Sequence, residues 1–331
     1  MELHDLWFVA IATLFVGYFF LEGFDFGVGV LTQALARDDT ERRVLINTIA
    51  PVWDGNEVWL ITAGGAMFAA FPEWYASLFS GFYLPLLLIL VALIVRGVAF
   101  EYRGKREGRS WRRNWDLAIF FGSLVPAFLW GVAFANIVRG VALDDRHLYT
   151  GGFWALLNVY SLIGGVTTLL LFIYHGAVFT ALKTSGGLRD RAERLAGQVG
   201  LGAAVAAVVF LIWTQTRHGS AASGGTAIVA ALALVGSLVL NRIGRDGWAF
   251  ALSGGAVAFA AITLFVALYP DVLPSTVDPA NSLTVANAAA TDKTLGIMTW
   301  VAVIFLPLVL IYQGWTYWVF RRRIGVQNIP A

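Results

Sequence analysis

There is no cysteine among the 331 residues, and charge is scarce: Lys, Arg, Asp and Glu make up 13% of the chain, where a globular domain carries about 25%. Without cysteine this chain has no disulfide, no thiol nucleophile, no iron–sulfur ligation and no Cys-based zinc site. So little charge, with 58% of residues hydrophobic, excludes a soluble domain. The 23 Lys and Arg against 21 Asp and Glu leave a net charge of +2. The arginines lie in short loops between apolar stretches rather than along one face, so a nucleic-acid partner is excluded as well.

What the chain has instead is long apolar runs. A membrane-spanning helix needs about 20 mostly apolar residues, because in lipid every backbone polar group must be satisfied within the segment. Nine runs meet that need: Leu6–Ala36, Thr48–Phe71, Trp74–Phe100, Trp115–Val138, Trp154–Leu182, Leu195–Trp213, Ala221–Leu240, Trp248–Tyr269 and Gly296–Phe320. The expected fold is an all-α integral membrane protein of nine transmembrane helices. The first run follows Glu2 and Asp5 with no Lys or Arg. It lacks the basic start of a secretory leader and is expected to stay in the mature protein.

Eighteen of the 23 Lys and Arg fall after the first, third, fifth, seventh and ninth runs, four fall on the opposite side, and Arg96 lies inside a run. By the positive-inside rule the N-terminus is outside and the C-terminus cytoplasmic. The charge pattern repeats after four helices. Two four-helix bundles in the same orientation are therefore expected, residues 1–140 and 141–270, followed by an outer loop and a peripheral ninth helix in 271–331. Such a repeat is parallel, unlike the inverted repeats of many transporters.

A charged side chain in a span costs about 2.5–3.5 kcal/mol on insertion scales and marks a functional candidate. Glu22 and Asp25 lie three residues apart in the first run, and Asp54 and Glu57 repeat that spacing in the second, beside Trp53 and Asn56. Three residues is close to one helical turn, so each pair is expected on one face. Arg96 stands near the inner end of the third run, Glu101 follows it, and Asp116 opens the fourth. All fall in the cytoplasmic half. One arginine cannot balance so many acids, so some must stay neutral or share a proton. Two readings stay open on these residues: a proton-uptake chain opened to the cytoplasm, or a structural network around Arg96 that fixes helix register.

Other features read more plainly. Gly23/Gly27, Gly64/Gly65, Gly164/Gly165 and Gly254/Gly255 suggest close helix packing, and Asp38, Asp39, Glu41, Arg42 and Arg43 a solvated cytoplasmic turn. A haem needs axial His, Met, Cys or Tyr. His4, His147 and His218 fall in tails or outer loops, Met67 and Met298 are isolated, and His175 alone lies within a span. It reads as a hydrogen-bonded packing residue, so this chain is expected to hold no haem or other metal by itself.

Specific runs carry a resemblance. Glu22-Gly-Phe-Asp-Phe-Gly-Val-Gly29, Asp39-Thr-Glu-Arg-Arg43, Ala50-Pro-Val-Trp-Asp-Gly-Asn-Glu-Val-Trp-Leu-Ile-Thr-Ala-Gly-Gly65, Phe79-Ser-Gly-Phe-Tyr83, Trp111-Arg-Arg-Asn-Trp-Asp116 and Met298-Thr-Trp-Val-Ala302 closely resemble subunit II of cytochrome bd-type quinol oxidases. The resemblance runs nearly end to end and is most specific in the first 140 residues. It implies a nine-helix subunit packed against a haem-bearing subunit I, which holds two haems b and one haem d. The complex oxidises quinol outside and reduces O2 to water with protons drawn from the cytoplasm. It also implies a bacterial cytoplasmic membrane location, contact with lipid and quinone, room for small single-helix accessory subunits, and a structural quinone in this subunit that no motif locates. Asp25, Trp53 with Asp54, Arg96, Glu101 and Asp116 match the family's proton-entry region. Position 57 is Glu where Gln is familiar, and position 101 is Glu where Asp is expected. The leading expectation is a proton path made of Glu22, Asp25, Trp53, Asp54, Glu57, Arg96, Glu101 and Asp116, in which Asp25, Asp54 and Glu57 relay protons toward a haem site in the partner, Arg96 lowers the cost of keeping an acid ionised, and Glu101 and Asp116 collect protons at the cytoplasmic mouth. A proton-coupled secondary transporter and a purely structural scaffold subunit are the alternatives.

Overall fold

The computed structural model describes residues 2–329; Met1 of the first expected bundle and Pro330 and Ala331 of the last expected region lie outside them. The described residues form twelve α-helices: α1 (Leu3–Ala34), α2 (Asp39–Ile49), α3 (Trp53–Ala70), α4 (Pro72–Gly81), α5 (Tyr83–Tyr102), α6 (Arg109–Arg139), α7 (Gly152–Ala155), α8 (Val159–Lys183), α9 (Gly187–His218), α10 (Ala221–Arg242), α11 (Asp246–Leu268) and α12 (Asp292–Val319). Eight of them, α1, α5, α6 and α8 to α12, are long and apolar enough to cross a membrane. At 1.5 Å per residue the 32 residues of α1 extend about 48 Å, well beyond the ~30 Å hydrocarbon layer, so this helix tilts or protrudes.

The breaks have local causes. The expected run Thr48–Phe71 is interrupted by a turn at residues 50–52: Pro51 has no N–H to continue the hydrogen-bond ladder of α2, Ala50 is still helical, and the chain leaves helical geometry at Val52 (φ −128°, ψ −23°). What remains is α3, 18 residues with Asp54, Asn56 and Glu57 in its first turns; it is the one expected span without a long apolar helix. The expected run Trp74–Phe100 breaks at Phe82, because the ring of Pro85 would collide with the carbonyl of Gly81 in a continuous helix. The helix of the fifth expected run starts five residues late, at Val159, where Asn158 caps α8 by accepting a hydrogen bond from the Ser161 amide at 3.0 Å. The residues expected as a solvated turn after the first helix instead open α2, with Asp38 as its N-cap.

Helix α1 runs through the middle and packs against α3, α6, α8 and α11; α5 lies on α6, α8 on α6 and α9, and α10 on α11. One continuous apolar core joins these helices. Glycine makes two of the contacts. A Cβ on Gly27 would stand 2.0 Å from the Phe172 carbonyl and 2.8 Å from Gly176 Cα, so α1 and α8 meet backbone to backbone. A Cβ on Gly122 would meet Arg96 Cβ at 2.7 Å, so α6 closes over the arginine of α5. Gly64 and Gly65 depart from the packing expectation: a Cβ on either would touch nothing, because this side of α3 has no neighbour within the chain.

Helix α12 is peripheral. Only Leu295 of it is buried, and it touches α1 and α3. Trp7 Nε1 anchors its N-terminal end, donating to the Leu295 carbonyl and Thr299 Oγ1, both at 3.1 Å. Beyond its C-terminal end, the Ile324 amide donates to the Lys183 carbonyl at 2.9 Å and Arg323 Nη2 to Asp246 at 2.7 Å, which ties the tail to α8 and α11. The segment before α12 folds into a small antiparallel pair, β1 (Asp271–Leu273) and β2 (Leu283–Thr284). Its Val272, Leu273 and Leu283 are buried.

Candidate functional site

Four of the sequence-predicted residues converge where α1, α3 and α5 meet. Arg96 and Glu22 are both fully buried and form an ion pair through Nη1 and Oε1. Glu57 Oε1 lies 3.8 Å from Arg96 Nη2. The guanidinium also sits over the rings of Phe26 and Phe100, 4.8 and 5.5 Å from their centroids, so the rest of its surroundings are aromatic rather than wet. Asp25, one turn from Glu22, turns instead toward α3, where Asn56 Nδ2 donates to its Oδ2 at 2.6 Å. The other oxygen, Oδ1, is buried and receives no amide or hydroxyl donor, and Glu22 Oε2, the oxygen turned from the ion pair, is likewise buried without a donor. Three acids thus share one cation, and carboxyl oxygens are left over to hold protons.

The remaining predicted residues take other positions. Trp53 packs its ring on Phe100, centroids 5.3 Å apart, and lies against Gly97; it walls the cluster. Asp54 is exposed. A spacing of three therefore makes Asp54 and Glu57 neighbours, but they do not face the same way: Glu57 turns inward to Arg96 and Asp54 outward from the bundle. With Asp54 on the uncovered side of α3 stand Val58, Ile61 and Phe68, all exposed. Glu101 is exposed as well.

Asp116 belongs to a second cluster. Arg103 Nε donates to Asp116 Oδ1 at 2.5 Å and its Nη2 to Asp39 Oδ1 at 2.6 Å. Arg112 Nη1 donates to Asp39 Oδ2 at 3.0 Å, and Arg42 Nη1 stands 3.5 Å from Asp116 Oδ2. These pairs join α2 to α6 and to the turn after α5. Partial burial alone would raise the Asp39 carboxyl, but the hydrogen bond from Arg103 and the charges of Arg103, Arg112 and Arg42 outweigh it and hold it below the usual carboxylate range. The charges of the α2 segment are therefore structural ties rather than a freely solvated face. Glu41 extends them, accepting from Arg191 Nη2 of α9 at 2.6 Å.

Sequence reading missed the contribution of α12. Tyr317 OH donates to Asn56 Oδ1 at 2.7 Å, Gln313 Nε2 reaches the same oxygen at 3.4 Å, and Trp59 Nε1 donates to Gln313 Oε1 at 2.8 Å. The only signal in the sequence was two hydrogen-bonding side chains four residues apart in an apolar helix, and nothing in it pointed 260 residues back to Asn56.

His175, the one histidine expected within a span, is engaged on all sides that the fold offers it. His175 Nδ1 is 2.7 Å from Ser253 Oγ, its Nε2 is 3.2 Å from the Phe20 carbonyl, and its ring stacks on Phe250 at 5°. Both nitrogens and one face are taken, as a packing histidine requires. Among the described residues no group of three His, Asp or Glu converges as a metal site.

Residues 3–320 match the family model for Cytochrome bd terminal oxidase subunit II. The chain is 44% identical over 333 residues to cytochrome bd ubiquinol oxidase subunit 2 of Bacillus subtilis, across 98% of this chain and 97% of the relative. It is 38% identical over 365 residues to cytochrome bd-I ubiquinol oxidase subunit 2 of Escherichia coli K12, across 99% and 96%. A chain in the structure of bd oxidase from Geobacillus thermodenitrificans has the same fold, with a TM-score of 0.80 over 97% of this chain and 99% of that one at 18% identity.

Proposed function

The chain belongs to the cytochrome bd terminal oxidase subunit II family, and from that premise we propose that it carries protons from the cytoplasm toward a haem site held by its partner, subunit I. It is a multi-pass protein of the bacterial cytoplasmic membrane and a subunit of an oxidoreductase complex, which replaces the transporter alternative. In this reading nine helices cross the membrane, α3 included, with the N-terminus outside and the C-terminus inside. Residues 1–140 and 141–270 are two parallel bundles, followed by the outer loop and peripheral helix of 271–331.

The observation that carries the proposal is the arrangement around Arg96. Glu22, Asp25 and Glu57 surround one buried cation, and Asp54 continues the series to a face of α3 that nothing in this chain covers. A carboxylate turned to lipid tails costs about 2.5–3.5 kcal/mol. Covered by a partner with a polar path of its own, the same group becomes a handover point. Arg96 lets an acid beside it stay ionised between transfers, and exposed Glu101 collects protons at the mouth. Asp116, engaged on both oxygens by arginines, holds the α2–α6 frame around that mouth.

The haems b and d and the quinol-oxidising site are placed in subunit I on the family resemblance, and His175, the one histidine inside a span among the described residues, has both ring nitrogens engaged. Accessory single-helix subunits and lipid have the exposed apolar faces of α9, α10 and α12 to meet. The test is Asp54→Asn in the assembled complex. Quinol-dependent O2 consumption falls at least tenfold, about 1.4 kcal/mol on the barrier, while haem content is unchanged. Normal turnover with full haem content would leave this chain a scaffold.

A further inference from the structure

Asp25 is the only acid of the cluster that is hydrogen-bonded by a neutral side chain, and that side chain is itself held from α12. The amide of Asn56 has one possible orientation. Its nitrogen faces two acceptors, Asp25 Oδ2 at 2.6 Å and the Leu21 carbonyl at 3.5 Å. Its oxygen faces two donors, Tyr317 OH at 2.7 Å and Gln313 Nε2 at 3.4 Å. Gln313 is oriented in turn by the indole N–H of Trp59, which can only donate. Donors on an amide oxygen polarise its N–H, so each strengthens the bond that Asn56 gives to Asp25. With Oδ2 accepting from Asn56, Oδ1, which receives no other donor, is the oxygen open to a proton, and the Glu22 carboxyl is close enough to share it.

We propose that Tyr317 and Gln313 of α12 are positioning residues for Asp25: acting through Asn56, they fix which carboxyl oxygen exchanges protons and how readily it does so. The tail contacts hold them in register, since Ile324 and Arg323 tie the end of α12 to α8 and α11, and α12 is otherwise only lightly packed. The charged and titratable groups facing Asp25 are Glu22 on its own helix, Glu57 of α3, Arg96 of α5 and the Tyr317 hydroxyl. This inference rests on the proton-path reading for its consequence in turnover, but not for its geometry.

The experiment is infrared difference spectroscopy on the complete oxidase complex, with the stretching band of Asp25, carboxylic or carboxylate, identified by its loss in Asp25→Asn. In Tyr317→Phe the band moves, to higher wavenumber if it is the protonated C=O, because a weaker donor polarises it less. Proton uptake slows about fivefold, the weight of one neutral hydrogen bond. Tyr312→Phe, on the exposed side of α12, leaves band and rate as they are. If Tyr317→Phe fails to assemble, Gln313→Leu removes the second donor and shifts the band the same way by less. An Asp25 band at its wild-type position in the assembled variant overturns the proposal. Full turnover in Asp25→Asn would sink the proton path instead, so the two failures are read separately.

Discussion

Replacing Arg96 by Leu isolates the largest electrostatic commitment in the fold. The guanidinium and Glu22 are both fully buried, whereas Glu57, the other acid beside Arg96, keeps 19% of its side chain exposed. Leucine preserves the apolar contact with Phe26 and Phe100, so the loss should come mainly from stranding Glu22. Breaking a buried pair from one side costs about 3–5 kcal/mol, while removing both partners together is often nearly neutral. Arg96→Leu is therefore expected to lose about 3–5 kcal/mol, and Glu22→Leu/Arg96→Leu to recover about 2 kcal/mol or more of it. Titrating the purified complex with SDS in mixed micelles, and following loss of subunit association, measures both. The reasoning fails if the double variant is no more stable than Arg96→Leu, because the cost would then be lost packing around the arginine and not an uncompensated acid.

Other expectations follow from the same contacts. Asp39 sits below the ordinary carboxylate range, so the stability its ion pairs contribute is complete at neutral pH and is lost as pH falls through its lowered value. The melting difference between wild type and Asp39→Asn should shrink as pH drops toward about 4 and below, and a difference that grows on acidification would contradict the assignment. Gly27→Leu should prevent assembly, because the Phe172 carbonyl occupies the space of the new side chain; blue-native gels of membranes read this directly. A Cβ at Gly65 meets nothing within 4 Å among the described residues, so Gly65→Leu should leave the subunit folded while reducing its co-purification with the haem-bearing partner. Unchanged co-purification would remove α3 from the docking face. Trp7→Phe, which deletes two hydrogen bonds to α12, should make the last helix more accessible to limited proteolysis at its N-terminal end.

The sequence made the apolar spans easy to read, since each must carry its hydrophobicity within itself. It concealed the directions in which they face. Lipid and protein neighbours are equally apolar, so Gly27 and Gly65 look alike as letters, although one meets a backbone and the other open space. Buried acids stood out because they are rare, and that was enough to find Glu22, Asp25, Glu57 and Arg96. Spacing could not tell that Asp54 turns away from Glu57, because residues three apart on a helix differ in direction by about 60°. That is enough to place one at a helix interface and the other outside it. The breaks at Pro51 and Gly81–Pro85 were written in the chain as prolines, yet a window of average hydrophobicity passes over them. The part played by Tyr317 and Gln313 was not legible at all, because it depends on α12 lying against α3.

The central claim is that protons reach the partner's haem site through this chain. The most direct measurement is time-resolved charge movement after the fully reduced complex, in proteoliposomes, is mixed with O2, comparing wild type with Asp54→Asn and Glu57→Gln at equal haem content. The account predicts that electron transfer begins normally in both variants while the charge movement that accompanies proton uptake from the cytoplasmic side is lost or slowed at least tenfold. A wild-type charge movement in both variants would mean that protons enter by another route and that the buried acids serve only to hold the helices together.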